Sequence, residues 1–198
     1  MTHGEFTSAK GDWLVDPVWC TNDGAVPVVD WSRVPRSPLG LEVIATLQCC
    51  TVGGASLLLR GSVLEQADPH PAADIDVMLV TANPVQLRVD LSPLHRFGRP
   101  VDALVVDARV HRRDAVLWGL ACTRALHVAG EAPPRDDVRL DRRLLVDHWL
   151  KYAAFTLPPT VRCHGALRVA TVKQVVRSVG LVSGLRTGRF SRDLATCV

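Results

Sequence analysis

The sequence ASLLLRGSVLEQADPHPAADIDVMLV, residues 55–80, decides how this chain folds. Its apolar run at 57–59 predicts a buried strand, which Gly61-Ser62 ends. Eleven residues separate this glycine-serine pair from Asp74, which is enough for a short helix and a proline-containing turn. A second apolar run at 77–80 predicts another strand. The stretch therefore predicts two neighbouring strands joined through a tight turn and a short helix.

Two carboxylates open the second predicted strand. A strand turns successive side chains to opposite faces, so Asp74 and Asp76 share one face while Ile75 lies on the other. Two carboxylates about 7 Å apart along a strand are suited to holding hard cations such as Mg2+ between them. The alternative interpretation is a pair of solvent-exposed aspartates at a turn, which is a common use of this residue type.

The glycine-serine pair, the gap and the Asp-x-Asp strand together resemble the signature of the DNA polymerase β-like nucleotidyltransferase superfamily, over residues 57–80. The resemblance implies that Gly61 and Ser62 hold the phosphates of a nucleoside triphosphate through backbone N–H groups and a hydroxyl. It also implies that Asp74 and Asp76 bind Mg2+, or Mn2+ in its place. Relatives often carry Arg-Gly shortly after the Gly-Ser, whereas this chain has Glu65-Gln66 there and no basic residue between Ser62 and Asp74.

The superfamily places a third carboxylate on a later strand. The run VDALVVD at 101–107 predicts a buried strand, with Asp102 near its start and Asp107 at its far end. By its place in the order, Asp102 is the candidate for the third metal-binding and catalytic carboxylate. Asp107 is the weaker choice, and a strand-edge aspartate without a catalytic role is the alternative for either.

Other segments complete an α/β pattern. Residues 39–50 and 110–123 predict helices, and residues 125–128 predict a short strand. Residues 83–96 predict a third helix, with Asn83 as its cap and Pro84 in its first turn, which Pro93 ends or kinks. We expect a small mixed-sheet nucleotidyltransferase domain at 39–130. An irregular N-terminal arm at 1–38 precedes it, a linker at 131–140 follows, and a helical C-terminal segment occupies 141–198.

The C-terminal segment adds to the resemblance. Residues 141–156 and 161–185 predict helices, and the second carries Lys173 and Arg177 four apart on one face. Bacterial nucleotidyltransferase-domain proteins with a C-terminal helical segment are similar here, since they have a Lys and an Arg in the last long helix and then a stretch like the one at 190–197. The resemblance implies that Lys173 and Arg177 bind nucleotide across the cleft. A solvated basic face is the alternative.

Charge, cysteine spacing and the length of apolar runs limit the partners and the cell compartment that we expect for this protein. Net charge is +3 and acidic residues are interspersed with arginine, which argues against a polynucleotide partner. The six cysteines form no CxxC pair, so they predict reduced thiols in a cytoplasmic protein. No apolar run approaches the roughly 20 residues that span a bilayer, so we expect no membrane partner.

The expected function is Mg2+-dependent transfer of a nucleoside monophosphate from a nucleoside triphosphate to a hydroxyl or phosphate of a small-molecule acceptor, with release of pyrophosphate. The sequence leaves three alternatives open. One is nucleotidylation of a protein, as in antitoxins that modify their toxin, another is modification of tRNA, and the third is a non-catalytic nucleotide-binding relative. A homodimer is also left open.

Overall fold

A computed structural model describes residues 13–109, 115–132, 143, 144, 146–150 and 166–191. In chain order the strands are β1 (Val18–Thr21), β2 (Val52–Gly53), β3 (Ser56–Arg60), β4 (Ile75–Thr81), β5 (Arg88–Val89), β6 (Val101–Asp107), β7 (Leu126–Gly130) and β8 (Arg189–Ser191). The helices are α1 (Pro38–Gln48), α2 (Ser62–Glu65), α3 (Ala115–Thr123) and α4 (Ala166–Thr187).

Four strands form the central sheet, in the order β6-β4-β3-β7. β3 runs antiparallel to β4 and β7, whereas β4 and β6 are parallel, so the sheet is mixed. Leu59 lies opposite Val77, and Asp76 lies opposite Asp102. The α/β class with a mixed sheet that the sequence predicts is therefore confirmed.

Both faces of this sheet are buried, which is why β3 and β4 are continuous apolar runs instead of alternating ones. Odd-numbered side chains of these strands, such as Leu57 and Val77, join a core with Val43 and Leu47 of α1. Even-numbered side chains join a second core with α3; its buried members are Leu58, Met78, Val80, Val106, Ala121 and Ala125. The sheet thus lies between α1 and α3.

Helix α1 begins as its sequence predicts. The Ser37 side chain accepts a hydrogen bond of 3.0 Å from the Gly40 N–H, and Pro38 occupies the first turn, where a missing N–H costs nothing. α3 covers residues 115–123 of the helix predicted at 110–123, and residues 110–114 lie outside the described part. The strand predicted at 125–128 is β7, which is one residue later and extends to Gly130.

The helix predicted at 83–96 is wrong. The segment instead forms 3-10 turns at Pro84–Gln86 and Ser92–Phe97, separated by β5. β5 pairs with β2 far back in the chain, and the Asp90 carboxylate accepts a hydrogen bond from the Ser92 N–H at 2.9 Å. Pro93 and this local turn interrupt the helix, whereas Pro84 lies in a first turn, where a missing N–H costs nothing.

The two ends of the described chain meet. β1 pairs antiparallel with β8, which directly follows α4. Phe190 of β8 is fully buried and lies 5.7 Å from Trp149, measured between ring centroids. Of the helix predicted at 141–156, residues 143, 144 and 146–150 are helical, and the others lie outside the described part. The helix predicted at 161–185 is α4, and its predicted residues 161–165 also lie outside the described part. No helix in the described ranges is both long and apolar enough to cross a membrane.

Candidate active site

Asp76 and Asp102 lie side by side at one end of the central sheet. They are directly paired in the parallel register of β4 and β6, where neighbouring strands run about 4.8 Å apart. Asp76 has the same strand parity as Met78, and Asp102 the same as Val106, so both side chains lie on the face that packs against α3 further along. Asp74 precedes β4 with this parity and is exposed. Of the three carboxylates that the sequence singles out, the structure thus pairs Asp76 directly with Asp102 and places Asp74 near enough for its charge to act on Asp76.

The Gly61-Ser62 turn lies against the same end of the sheet. Gly61 has φ 78° and ψ −168°, a conformation that glycine adopts easily and other residues do not. A Cβ at Gly61 would overlap the Asp76 carboxylate, so the missing side chain is what allows this close approach. α2 starts at Ser62, and the first N–H groups of a helix have no carbonyl partner within it. Backbone donors therefore stand next to the carboxylates.

Asp76 is the electrostatic centre of this group. Burial raises its pKa above the ordinary value near 3.8, and the neighbouring charges of Asp102 and Asp74 raise it further. Arg60 and Arg177 oppose this and lower the same pKa. Arg60 Nη2 lies 3.5 Å from Asp76 Oδ1. Carboxylates and guanidinium groups from β3, β4, β6 and α4 are therefore close enough to act on one another.

Of the two cations predicted in the C-terminal helix, Arg177 is the one whose charge reaches Asp76. Arg177 is half-buried in α4. Lys173 lies about one turn earlier in that helix and is exposed. The structure thus places the charge of Arg177 within reach of Asp76, while Lys173 is an exposed residue of the same helix.

Asp76 and Asp102 are suited to a magnesium ion whose other ligands come from a bound substrate. Among the described residues, no three His, Cys, Asp or Glu side chains are grouped closely enough to hold a metal ion by themselves. In nucleotide sites, however, Mg2+ is commonly held by one or two carboxylates together with substrate phosphates and water. Asp76 and Asp102, in register on adjacent strands, supply such a pair of hard oxygen ligands.

Glu65, which stands where the resembled family has a basic residue, lies in the protein interior behind the glycine turn, close enough for the charge of Asp76 to raise its pKa. Its Oε2 is 3.4 Å from Nη2 of Arg124, and its carboxylate also hydrogen-bonds the backbone of Gly61. Arg124 is only 2% exposed and donates to the backbone carbonyls of Asp16 and Val18 as well. Burial raises the pKa of Glu65, and Arg124 lowers it. This buried ion pair connects the glycine turn to the N-terminal part of the chain.

Sequence reasoning missed Arg60 and Arg124. Arg60 directly precedes Gly61 and lies two residues after Leu58 on the same strand. Because alternate residues of a strand share a face, this spacing could have placed Arg60 on the face that carries Asp76. Arg124 has no such signal, because its partners Glu65, Asp16 and Val18 lie 59 to 108 residues away in the sequence.

A cavity of about 380 Å3 lies at the opposite end of the sheet, lined by residues that include Ser56, Thr81 and Trp118. It contains none of the candidate site residues that the sequence singles out, and Glu131 is the one acidic or basic side chain in its lining. Its lining offers a single carboxylate and no cation, whereas the Asp76 end combines carboxylates with guanidinium groups and backbone donors. The candidate active site is therefore the Asp76 end.

The chain matches no family model, no curated protein and no solved structure in the comparisons made. The chemistry of the site accordingly rests on the residues of this chain.

Proposed function

We propose that this chain is a nucleotidyltransferase of the DNA polymerase β-like kind, which moves a nucleoside monophosphate from a nucleoside triphosphate to a small-molecule acceptor. The observation that carries the proposal is the register of Asp76 with Asp102 beside the glycine turn. Paired carboxylates, backbone N–H donors and cations at one place are the parts that phosphoryl transfer needs, because it is catalysed mainly by positioning and charge neutralisation.

Each residue has a distinct role in this proposal. Gly61 and Ser62 form the phosphate turn: Gly61, whose own N–H is donated to Glu65, allows close approach of the backbone, and Ser62 offers its backbone N–H and its hydroxyl. Asp76 and Asp102 would hold Mg2+ together with phosphate oxygens, and Asp74 would add its negative charge beside them; the ion, when bound, neutralises charge that develops on the phosphates. Lys173 and Arg177 approach the triphosphate from α4 and complement its charge.

The reaction balances as a displacement at the α-phosphorus. An acceptor oxygen forms a bond to that phosphorus, the bond from it to the bridging oxygen of the β-phosphate breaks, and pyrophosphate leaves. The acceptor proton passes to a carboxylate, for which Asp102 is the candidate because it lies beside Asp76 and is exposed.

A small molecule is the acceptor class that the charge distribution favours. A polynucleotide acceptor needs a basic track, and its binding weakens steeply with salt. Net charge here is only +3, and the richest basic stretch, residues 186–192, is short. We expect neither tight tRNA binding at moderate salt nor transfer of label to tRNA, and a gel-shift titration beside a labelling assay tests both.

One observation favours a second candidate, a nucleotide-binding protein without catalytic activity. Arg60 already neutralises Asp76, so a site with this ion pair could bind a phosphate group without a metal. Incubation with each of the four nucleoside triphosphates, Mg2+ and a metabolite extract separates the two. Mass spectrometry should find an extract compound heavier by one nucleoside monophosphate, with matching pyrophosphate release; bound but unaltered nucleotide would favour the second candidate.

A further inference from the structure

We propose that Arg60 changes partners during nucleotide binding: it is the counter-ion of Asp76 in the free protein and a ligand of the triphosphate once a divalent cation is bound. The inference rests on the proposed function and adds to it a residue that the resemblance does not assign.

The position of Arg60 is fixed by the sheet. β3 and β4 pair so that Arg60 lies opposite Asp76, and Gly61 follows it directly. The arginine side chain therefore starts at the residue that leads into the proposed phosphate turn and ends at a proposed metal ligand. Its side chain is 21% exposed and that of Asp76 is 24%, so the pair is partly shielded while solvent still reaches it.

The ion pair is a loose one. Its N–O distance of 3.5 Å exceeds the 2.7–2.9 Å that is typical of a strong charge-assisted hydrogen bond. A guanidinium has five N–H donors, and Nε of Arg60 is buried with no hydrogen-bond partner in the described part of the chain. By contrast, Arg109 contacts Asp107, at the other end of β6, through both Nε and Nη2 at 3.2 and 3.1 Å. Arg60 thus retains donor capacity that phosphate oxygens could use.

The charges determine the direction of the exchange. Asp76 experiences the negative charges of Asp74 and Asp102 on one hand and the positive charges of Arg60 and Arg177 on the other. A divalent cation at Asp76 would place like charge within a few ångströms of Arg60 and weaken the ion pair. The triphosphate brings the opposite charge to the adjacent glycine turn and offers oxygens with the geometry that a guanidinium fork matches. Metal and nucleotide together therefore favour moving Arg60 from Asp76 to phosphate.

The test measures two affinities in an Arg60→Gln variant, with Arg109→Gln as the matched control. Arg60→Gln should bind Mn2+ alone several-fold more tightly than the wild type, by electron paramagnetic resonance titration, because Asp76 loses its competing cation. The same variant should bind Mn2+-nucleoside triphosphate about ten- to a hundredfold more weakly, which corresponds to one charge-assisted contact. Arg109→Gln should change neither affinity.

Opposite shifts in the two affinities distinguish an exchange from a structural role. If both affinities of Arg60→Gln fall together, or neither changes, the proposal is wrong. Should that variant fail to fold, Arg60→Lys serves instead: it keeps the charge but loses the fork, so Mn2+ affinity should stay near wild type while nucleotide affinity falls. A wild type that binds no nucleotide with Mn2+ would refute the proposed function, and this proposal with it; nucleotide binding that is indifferent to Arg60 would refute this proposal alone.

Discussion

Gly61 and Asp76 approach so closely that no other residue fits at position 61. The Asp76 carboxylate fills the space that a Cβ would take, and the backbone there has φ 78°. The proposed phosphate turn and the proposed metal ligand are therefore coupled by direct contact.

Gly61→Ala should disrupt the site more than backbone strain alone explains. Alanine at this φ costs about 1–3 kcal/mol of stability, and its methyl group also displaces the Asp76 carboxylate. Gly54→Ala is the control, because Gly54 has φ 73° but nothing within 4 Å of an added Cβ. Both variants should lose stability in urea titrations, and only Gly61→Ala should also lose metal-dependent nucleotide binding. Equal nucleotide binding by the two variants would show that the close approach of Gly61 to Asp76 is not needed for the site.

Arg177→Ala should shift the pH dependence of metal binding. Arg177 lowers the pKa of Asp76, so its removal lets that pKa rise further above the ordinary value near 3.8. Protons compete with Mn2+ for the carboxylate, so the pH at which Mn2+ affinity reaches half of its high-pH plateau should be higher in Arg177→Ala, while the plateau affinity itself should rise because a nearby positive charge is lost. Lys173→Ala removes the same charge from the same helix without this effect. A shift of equal size in both variants would show that net charge, not proximity, is responsible.

Both α4 variants should still weaken nucleotide binding. Each charge-assisted contact to phosphate is worth roughly 1.5–3 kcal/mol, so either substitution should raise the dissociation constant of the triphosphate at least about tenfold. Calorimetry at fixed Mg2+ measures this. Unchanged nucleotide binding by Lys173→Ala would show that this exposed residue belongs to a solvated basic face and does not contact the nucleotide.

Arg124→Met should be strongly destabilising. It leaves the Glu65 carboxylate buried without its cation, a change that typically costs about 3–5 kcal/mol. Arg33→Met is the control, since Arg33 forms an ion pair with Asp30 whose side chains are 86% and 58% exposed, and such pairs contribute about 0–1 kcal/mol. Urea denaturation of both variants measures the difference. Similar losses would mean that the Glu65–Arg124 pair contributes no more than a surface one.

Cys49 should react first among the described cysteines. It is exposed, whereas Cys20 is fully buried and burial raises the pKa of its thiol to about 11. The thiolate is the reactive form, so Cys20 stays protonated and inert at pH 8. Timed alkylation with iodoacetamide and peptide mass spectrometry should show Cys49 modified well before Cys20 and Cys50. Alkylation of Cys20 at the rate of Cys49 in folded protein would contradict its burial.

The central part of the fold was predictable because its signals are local. Apolar runs bounded by a glycine turn predicted β3 and β4, and strand parity put Asp74 and Asp76 on one face. Asp102 was placed by its position near the start of the next apolar run, and its register with Asp76 follows from the parallel pairing of β6.

The strands and the ion pair that the sequence did not predict depend on contacts between residues far apart in the chain. β5 exists because it pairs with β2, and β1 because it pairs with β8, and neither partner is evident from a short window. The Glu65–Arg124 pair likewise forms only once the sheet, α3 and the N-terminal part pack together. Tertiary contacts also override the helical pattern of residues 83–96, where Pro93 leaves only short turns.

The most direct test compares nucleotidyl transfer by Asp76→Asn with that by Asp107→Asn. Both remove one carboxylate charge from neighbouring strands of the same sheet, but Asp107 lies at the opposite end, paired with Arg109. With Mg2+, nucleoside triphosphate and the acceptor-containing extract, Asp107→Asn should release pyrophosphate at the wild-type rate, while Asp76→Asn should release none above background although its melting temperature is unchanged. Wild-type turnover by a folded Asp76→Asn variant would contradict the assignment of the active site to this end of the sheet.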